Sequence, residues 1–280
     1  MELKQYLTRI GYRGPVEPTL AVLTAIHRAH LLAIPYENLD IHLGRPLTLD
    51  RAAIFRKLVL ERRGGWCFEM NGLLAAALEA IGFSVRLLSG TVGRETGGDA
   101  NEGNHLVLLV ELDRPYLADV GFGDGFLEPL PLEPGRFRRG FLEVGLERHG
   151  DRWIFRNHPW GGAPSFDFTL EPRRSSDFER QCHELQTSPR SGFVRSTVCQ
   201  RFLPDGLVTL RSASYRRVTA RGVDDRVLDS AEEFERVVRE EFRLNLPELR
   251  ALWPRVWARH LEWMASQVGP TAQPEMRGQS

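Results

Sequence analysis

The 280 residues carry 37 Lys+Arg against 37 Asp+Glu. This balance excludes the basic field of a nucleic-acid binder and an acidic tail. With 42% apolar and 26% charged residues, the chain is ordinary globular material, long enough for a sizeable core and two or three subdomains. Cysteines at 67, 182 and 199 form no disulfide framework and fit a reducing compartment. The N-terminal run lacks the apolar centre of a signal peptide. The longest apolar stretch, around residues 73–81, is interrupted by Glu79 and is too short to span a bilayer. A cytoplasmic protein is expected.

Residues 1–85 read as mostly helical. TLAVLTAIHRAHLLAI has apolar residues at three- and four-residue spacing and ends against Pro35. TLDRAAIFRKLVLERRGG opens with a cap at Thr48 or Asp50 and stops at Gly64-Gly65. A third helix follows, rich in Leu and Ala and ending at Gly82. From about Ser84 the period shortens. SVRLLSGTV, HLVLLVEL, RPYLADVGF, RWIFRN and PSFDFTLEP are β-rich runs separated by Gly, Pro and Asp, the pattern of an antiparallel barrel or sandwich. Residues 176–200 interrupt it. GLVTLRSASY and YRRVTARG then precede helices at SAEEFERVVREEFRL and ELRALWPRVWARHLEWMA. The expected fold class is α+β: a helical bundle over 1–85, an antiparallel β-barrel over 86–190, and an α/β lid over 191–280. A frayed tail is expected from about 268.

Cys67 stands in RGGWCFE, at the start of the third helix. There, free N–H groups and the helix dipole favour an anion, a setting that draws a thiol pKa from about 8.5 towards neutrality. The alternative is a small buried apolar residue. A nucleophilic thiol needs a base and a group to orient that base. His105 opens the apolar strand HLVLLVEL, and Asp119 is the one acid in the apolar run YLADVGFG, where burial demands a partner. A hairpin centred on Leu112 would set His105 and Asp119 opposite each other on one face, with a bulge as the feature that would shift the register. Strand-end and salt-bridge roles are the alternatives for these two residues.

The run RGGWCFEMNG, followed by NHLVLLV and ADVGFG, resembles the arylamine N-acetyltransferase family, as do IPYENL at 34–39 and TSPRSGFVRSTVCQRFLPDG at 187–206. The resemblance extends from about residue 5 to 260. It implies a Cys-His-Asp core like that of papain and the transglutaminases. Cys67 would be the acetyl-accepting nucleophile, His105 its base and Asp119 the orienting carboxylate. It further implies that Tyr36, Phe122 and Phe202 line the substrate pocket, with Gly123 and Phe202 at the cofactor. Arg63 and Glu37 look like an ion pair behind the nucleophile. Acetyl-CoA would be the co-substrate, and no cofactor or metal would be resident. The partners implied are acetyl-CoA and a small aromatic amine or hydrazine, with no nucleic acid or membrane; homodimerisation is left open.

Three positions depart from the family's pattern. Tyr36 stands where phenylalanine is usual. Asp124 stands where glycine is frequent, and a carboxylate there would repel the cofactor pyrophosphate. Cys182 stands where asparagine is common and reads as inert. Four other readings are weighed: a hydrolytic or transamidating cysteine enzyme, a macrocycle-forming amide synthase of the same family, a binding protein on a retired enzyme scaffold, and a zinc site of Cys67, His105 and Asp119. The last lacks a fourth ligand.

Overall fold

The computed structural model describes residues 1–267; the tail expected from about 268 lies outside them. Helix α1 (Leu3–Ile10) ends on Gly11 at φ 72°, and α2 (Leu20–Ala33) begins at Thr19, whose hydroxyl accepts from the Val22 N–H. Two residues beyond Pro35 are extended rather than helical, forming β1 (Tyr36–Glu37). They are followed by α3 (Leu39–His42) and α4 (Arg51–Phe55). Asp50 caps α4, accepting from Ala53 N–H at 2.8 Å. This α-helix is shorter than its periodicity predicts, because a π-helical turn over Arg56–Leu60 takes over before the glycines. Helix α5 (Cys67–Ile81) stops at Gly82, φ 106°, a left-handed stop that glycine adopts without strain.

The β-region opens with β2 (Ser84–Val92), α6 (Arg94–Gly97), β3 (His105–Glu111), β4 (Pro115–Ala118) and β5 (Leu130–Pro131). It continues through β6 (Gly135–Arg139), β7 (Leu142–His149), β8 (Arg152–Arg156) and β9 (Ser165–Arg173). These strands form one eight-stranded antiparallel, barrel-like sheet in the order β5-β4-β3-β2-β9-β8-β7-β6. The hairpin β6–β7 is not among the predicted strands. GRFRR carries three arginines and is largely exposed, so it lacks the apolar alternation that marks a half-buried strand.

Helices α7 (Glu179–Thr187) and α8 (Gly192–Arg195) lead into β10 (Val198–Leu203), β11 (Gly206–Arg211), β12 (Ser214–Thr219) and β13 (Gly222–Val227). The chain then forms α9 (Ala231–Glu241) and α10 (Leu249–Gln267). The second sheet runs β1-β10-β11-β12-β13. Its first strand therefore comes from the N-terminal region, with Tyr36 opposite Gln200. That pairing ties the PYENL segment to the lid, and an isolated bridge ties Tyr36 to Gly65.

Strand β3 explains its own apolar continuity. Leu108 and Val110 pack with Leu74, Leu78 and Ile26 of the helices. Val107 and Leu109 face the other way, onto Leu117, Phe155 and Phe168 inside the barrel. A strand covered on both faces reads as an unbroken apolar run. Each of these fully buried aliphatic side chains contributes about 1.5–3 kcal/mol. A second core, under β10–β12, gathers Leu210, Phe234, Val238 and Leu249.

Candidate active site

Cys67 is the first residue of α5 and is 3% exposed. It packs with Tyr36, Trp66, Phe68 and Leu106. Glu69, three residues on, accepts from the Trp66 N–H at 3.2 Å and so closes the helix start. The thiol lies 3.8 Å from the Asn104 carbonyl, immediately before His105. Gly121 lies against the nucleophile's backbone: a Cβ there would fall 2.8 Å from Cys67 Cα and 2.7 Å from its carbonyl oxygen. Only glycine fits at that separation.

His105 Nε2 donates to Asp119 Oδ2 at 2.6 Å, with both side chains essentially buried. The register differs from the predicted one by two residues. β3 and β4 pair Leu108 with Ala118 and Glu111 with Pro115, so the hairpin is centred on Asp113 and Asp119 is diagonal to His105. A two-residue shift preserves the face, because side chains alternate with period two. Phe122 and Phe166 flank the imidazole at ring separations of 5.5 and 5.0 Å.

Asn71, which the sequence reading passes over, completes the carboxylate's surroundings. Its Nδ2 donates to Asp119 Oδ1 at 2.7 Å and to the Leu106 carbonyl at 2.6 Å, while its Oδ1 accepts from Val120 N–H. The N–H groups of Gly121 and Phe122 also donate to Asp119 Oδ1. A carboxylate with this many donors is tolerable in a buried site. The available signal was an asparagine four residues after Cys67, on the same face of an Ala/Leu-rich helix.

The thiol departs from expectation. Burial pushes the Cys67 pKa up, and the nearby Asp119 charge adds to the rise; the backbone N–H groups of Phe68 and Leu106 oppose it. A helix start does not offset removal from water at 3% exposure. Deprotonation of Cys67 therefore requires a base at hand. Cys182 is also buried, its pKa pushed up to about 12 first by burial. Cys199 is raised by the same cause. All three thiols are free.

Behind the helix start lies a buried ion cluster larger than the expected Arg63–Glu37 pair. Arg63 reaches Glu37 at 3.2 Å and Asp40 at 2.7 Å, and Lys57 reaches Asp40 and Glu69 at 2.9 Å each. The cluster links β1, α3 and α5, and so ties Tyr36 to the start of the Cys67 helix.

Phe202, expected at the ligands, and Asp124, expected to repel the cofactor, are both buried. Phe202 is 2% exposed and packs into the helical core with Leu207 and Val218. Its β10 position points inward, so we assign it to packing. The Asp124 carboxylate is not presented as a bare charge. It accepts from Gln200 Nε2 at 2.5 Å and Gly162 N–H at 2.7 Å, with its pKa raised to about 6 by burial. Gly123, at φ 86°, approaches both Gln200 and Tyr36. Tyr36 itself is 7% exposed.

Asp124 and Gly162 also border a cavity of about 810 Å³ whose walls include Trp160, Arg195, Arg211 and His260. Cys67, His105 and Phe122 do not line it. Among the described residues, no helix is long and apolar enough to cross a membrane.

The scaffold is α+β with a barrel-like sheet, a thiol at a helix start 3.8 Å from the carbonyl before His105, and an imidazole bonded to a buried carboxylate. A family model described as N-acetyltransferase matches residues 19–251. The arylamine N-acetyltransferase of Mycolicibacterium smegmatis is 38% identical, over 89% of this chain and 94% of that protein. A Gallus gallus pineal gland isozyme is 35% identical, over 88% and 95%. Among solved structures, a Mycobacterium smegmatis N-arylamine acetyltransferase matches with TM-score 0.84 at 36% identity, covering 91% and 98% of the two chains. The Mycobacterium marinum enzyme in complex with CoA matches at 0.82 and 31%, covering 92% and 98%. The chain belongs to the arylamine N-acetyltransferase family of acyltransferases.

Proposed function

We propose that the protein transfers the acetyl group of acetyl-CoA to the nitrogen of an arylamine or arylhydrazine, through an acetyl-Cys67 intermediate and a ping-pong sequence. The observation that carries this reading is the 2.6 Å bond from His105 Nε2 to Asp119, beside a thiol at the first residue of α5. With Nε2 committed to the carboxylate, Nδ1 is the ring nitrogen left to accept the thiol proton.

In the first half-reaction His105 takes the proton of Cys67, and the thiolate attacks the thioester carbonyl. A carbon–sulfur bond to Cys67 forms and the bond to CoA breaks. The imidazolium proton leaves with the CoA sulfur. The oxyanion is met by backbone N–H at the start of α5, where the helix dipole favours negative charge. In the second half-reaction the amine attacks the acetyl-cysteine, its proton passes to His105, and the Cys67 sulfur is expelled. An arylamine is largely neutral at pH 7 and nucleophilic without assistance. A lysine-like amine would carry a charge ill suited to the aromatic surroundings of Phe122 and Tyr36.

The cavity bordered by Asp124 supplies arginines for the phosphates of acetyl-CoA. At 3% exposure of Cys67, the acetyl end reaches the thiol only after neighbouring side chains move. Tyr36 and Phe122 would face the aromatic amine, and Gly123 would lie near the cofactor's acetyl end. We divide the chain into a nucleophile-bearing bundle (1–85), a barrel carrying the base and acid (86–190) and a lid (191–280), and place the protein in the cytoplasm.

The test is the intact mass of the protein after incubation with acetyl-CoA and no amine. One added acetyl group, mapped to Cys67 and discharged by an arylamine, is expected. An unmodified protein that still acetylates amine would exclude the covalent route.

A further inference from the structure

His27 belongs to α2, nine residues before the nearest strand, β1, and in none of the segments that carry the family resemblance. It is fully buried. The Asp119 N–H donates to its Nε2 at 3.1 Å, and its Nδ1 lies 3.0 Å from the Leu127 carbonyl. These two partners fix one tautomer: proton on Nδ1, lone pair on Nε2. The ring is held in plane by Phe126, stacked on it at 5.7 Å with 7° between the planes.

The location matters because Asp119 is the residue immediately after β4, where ladder pairing has stopped. Its own N–H has left the sheet and is satisfied by His27. Its carboxylate, two rotatable bonds from that backbone, meets His105 and Asn71. The peptide orientation at residue 119 therefore sets where the carboxylate points. Two anchors from two different helices hold it: Asn71 on α5 grips the side chain and His27 on α2 grips the main chain.

We propose that His27 is a positioning residue for the Asp119 carboxylate, its neutral imidazole fixing the Asp119 peptide so that the carboxylate meets His105. The inference rests on the triad reading above. Burial pushes the His27 pKa down to about 4, against weaker raising effects from its hydrogen bond to Leu127 and the charges of Asp119 and Glu128. The ring therefore remains an acceptor at neutral pH. An imidazolium would present a second donor to the Asp119 N–H and lose the bond.

The experiment compares His27→Leu, which leaves the N–H without an acceptor, with His27→Gln, whose amide oxygen restores one. In His27→Leu, kcat for acetyl transfer falls about 10- to 100-fold, the scale of a small misplacement near the reacting atoms. KM for acetyl-CoA stays within about twofold, since no contact to the cofactor is removed. The pH profile of Cys67 alkylation by iodoacetamide shifts upward, and His27→Gln recovers most of both losses. A merely structural histidine would lower the melting temperature of both variants and leave the profile of the folded fraction at its wild-type position; that result overturns the proposal.

Nitrogen-15 NMR of the wild-type protein at neutral pH decides the matter independently if His27→Leu does not fold. A protonated Nδ1 and bare Nε2 support the proposal, and the opposite tautomer or an imidazolium overturns it. Asp119→Asn run in parallel separates the two levels. If it shifts the alkylation profile and His27→Leu does not, the role of His27 alone fails. If Asp119→Asn is itself silent, the triad reading fails first.

Discussion

His105 and Asp119 are joined by a 2.6 Å hydrogen bond although they sit two residues out of step on adjacent strands. The residue before His105, Asn104, carries the carbonyl that lies 3.8 Å from the Cys67 thiol. Asp119→Asn would put an amide where Nε2 needs an acceptor and favour the other tautomer. Circular dichroism is expected to remain wild-type, while acetyl transfer falls about 10²–10³-fold, less than the 10⁴ of a protease triad because a thioester is already activated. The alkylation profile of Cys67 moves to higher pH. A folded variant with an unmoved profile would make Asp119 a structural acid of the barrel.

Cys67→Ala is expected to abolish transfer, whereas Cys182→Ala and Cys199→Ala retain it. Both of the latter thiols are buried, and it is Cys67 whose Sγ lies 3.8 Å from the Asn104 carbonyl, next to His105. Double-reciprocal plots of rate against amine, at several acetyl-CoA concentrations, should be parallel. Converging lines would indicate direct transfer in a ternary complex.

Gly121→Ala tests the contact between the DVGFG turn and the nucleophile. The added methyl would lie within 2.8 Å of Cys67 backbone atoms, which move only with the helix start. Overpacking of this kind costs about 1–3 kcal/mol. The activity loss is expected to exceed what the change in urea midpoint accounts for, because the displaced atoms carry the thiol. Gly135→Ala, where a Cβ meets nothing nearer than Phe137 at 3.8 Å, is the control and should match wild type in both measurements.

Acid should destabilise the fold through its buried histidines, which outnumber the buried carboxylates Glu69 and Asp124, whose raised pKa values act in the opposite sense. Burial lowers His27 and His42 to about 4 each, and His30 lies well below its ordinary value for the same reason. In the unfolded chain these groups bind protons near pH 6.5. Their stabilisation is therefore present above about 6.5 and is lost as pH falls towards 4, where the unfolded state holds protons that the folded state does not. Urea midpoints measured from pH 7 to 4.5 should fall steadily. His27→Gln should flatten that slope by about 2 kcal/mol over the interval. An unchanged slope would mean that His27 is not buried as a neutral ring.

Much of the site was legible because each element announced itself over a short span. Gly-Gly before Cys67 and Leu/Ala-rich residues after it specify a helix start and a helix. The apolar continuity of HLVLLVEL marks a strand covered on both faces, with His105 at its mouth. An acid within YLADVGFG required a partner, and the alternation of strand side chains put that partner on His105's face in either register. The Arg63–Glu37 pair followed from the family resemblance rather than from the residues themselves, since charge alone does not say which buried groups meet.

What required the tertiary structure was anything decided by distance across the sequence. The register of β3 on β4 depends on where the turn closes, and a centre at Asp113 instead of Leu112 slides the pairing by two residues. Burial of Cys67 overrides the local pull of the helix dipole, because desolvation depends on what covers the thiol and not on which residues adjoin it. The packing of Phe202 into the helical core needed the structure, since an aromatic in a strand looks the same in sequence on either side. Asn71 and His27 gained their meaning only when α5 and α2 were brought against Asp119, 48 and 92 residues away along the chain. Local pattern determines which elements form; the packing of those elements determines which polar atoms meet, and that meeting makes the site.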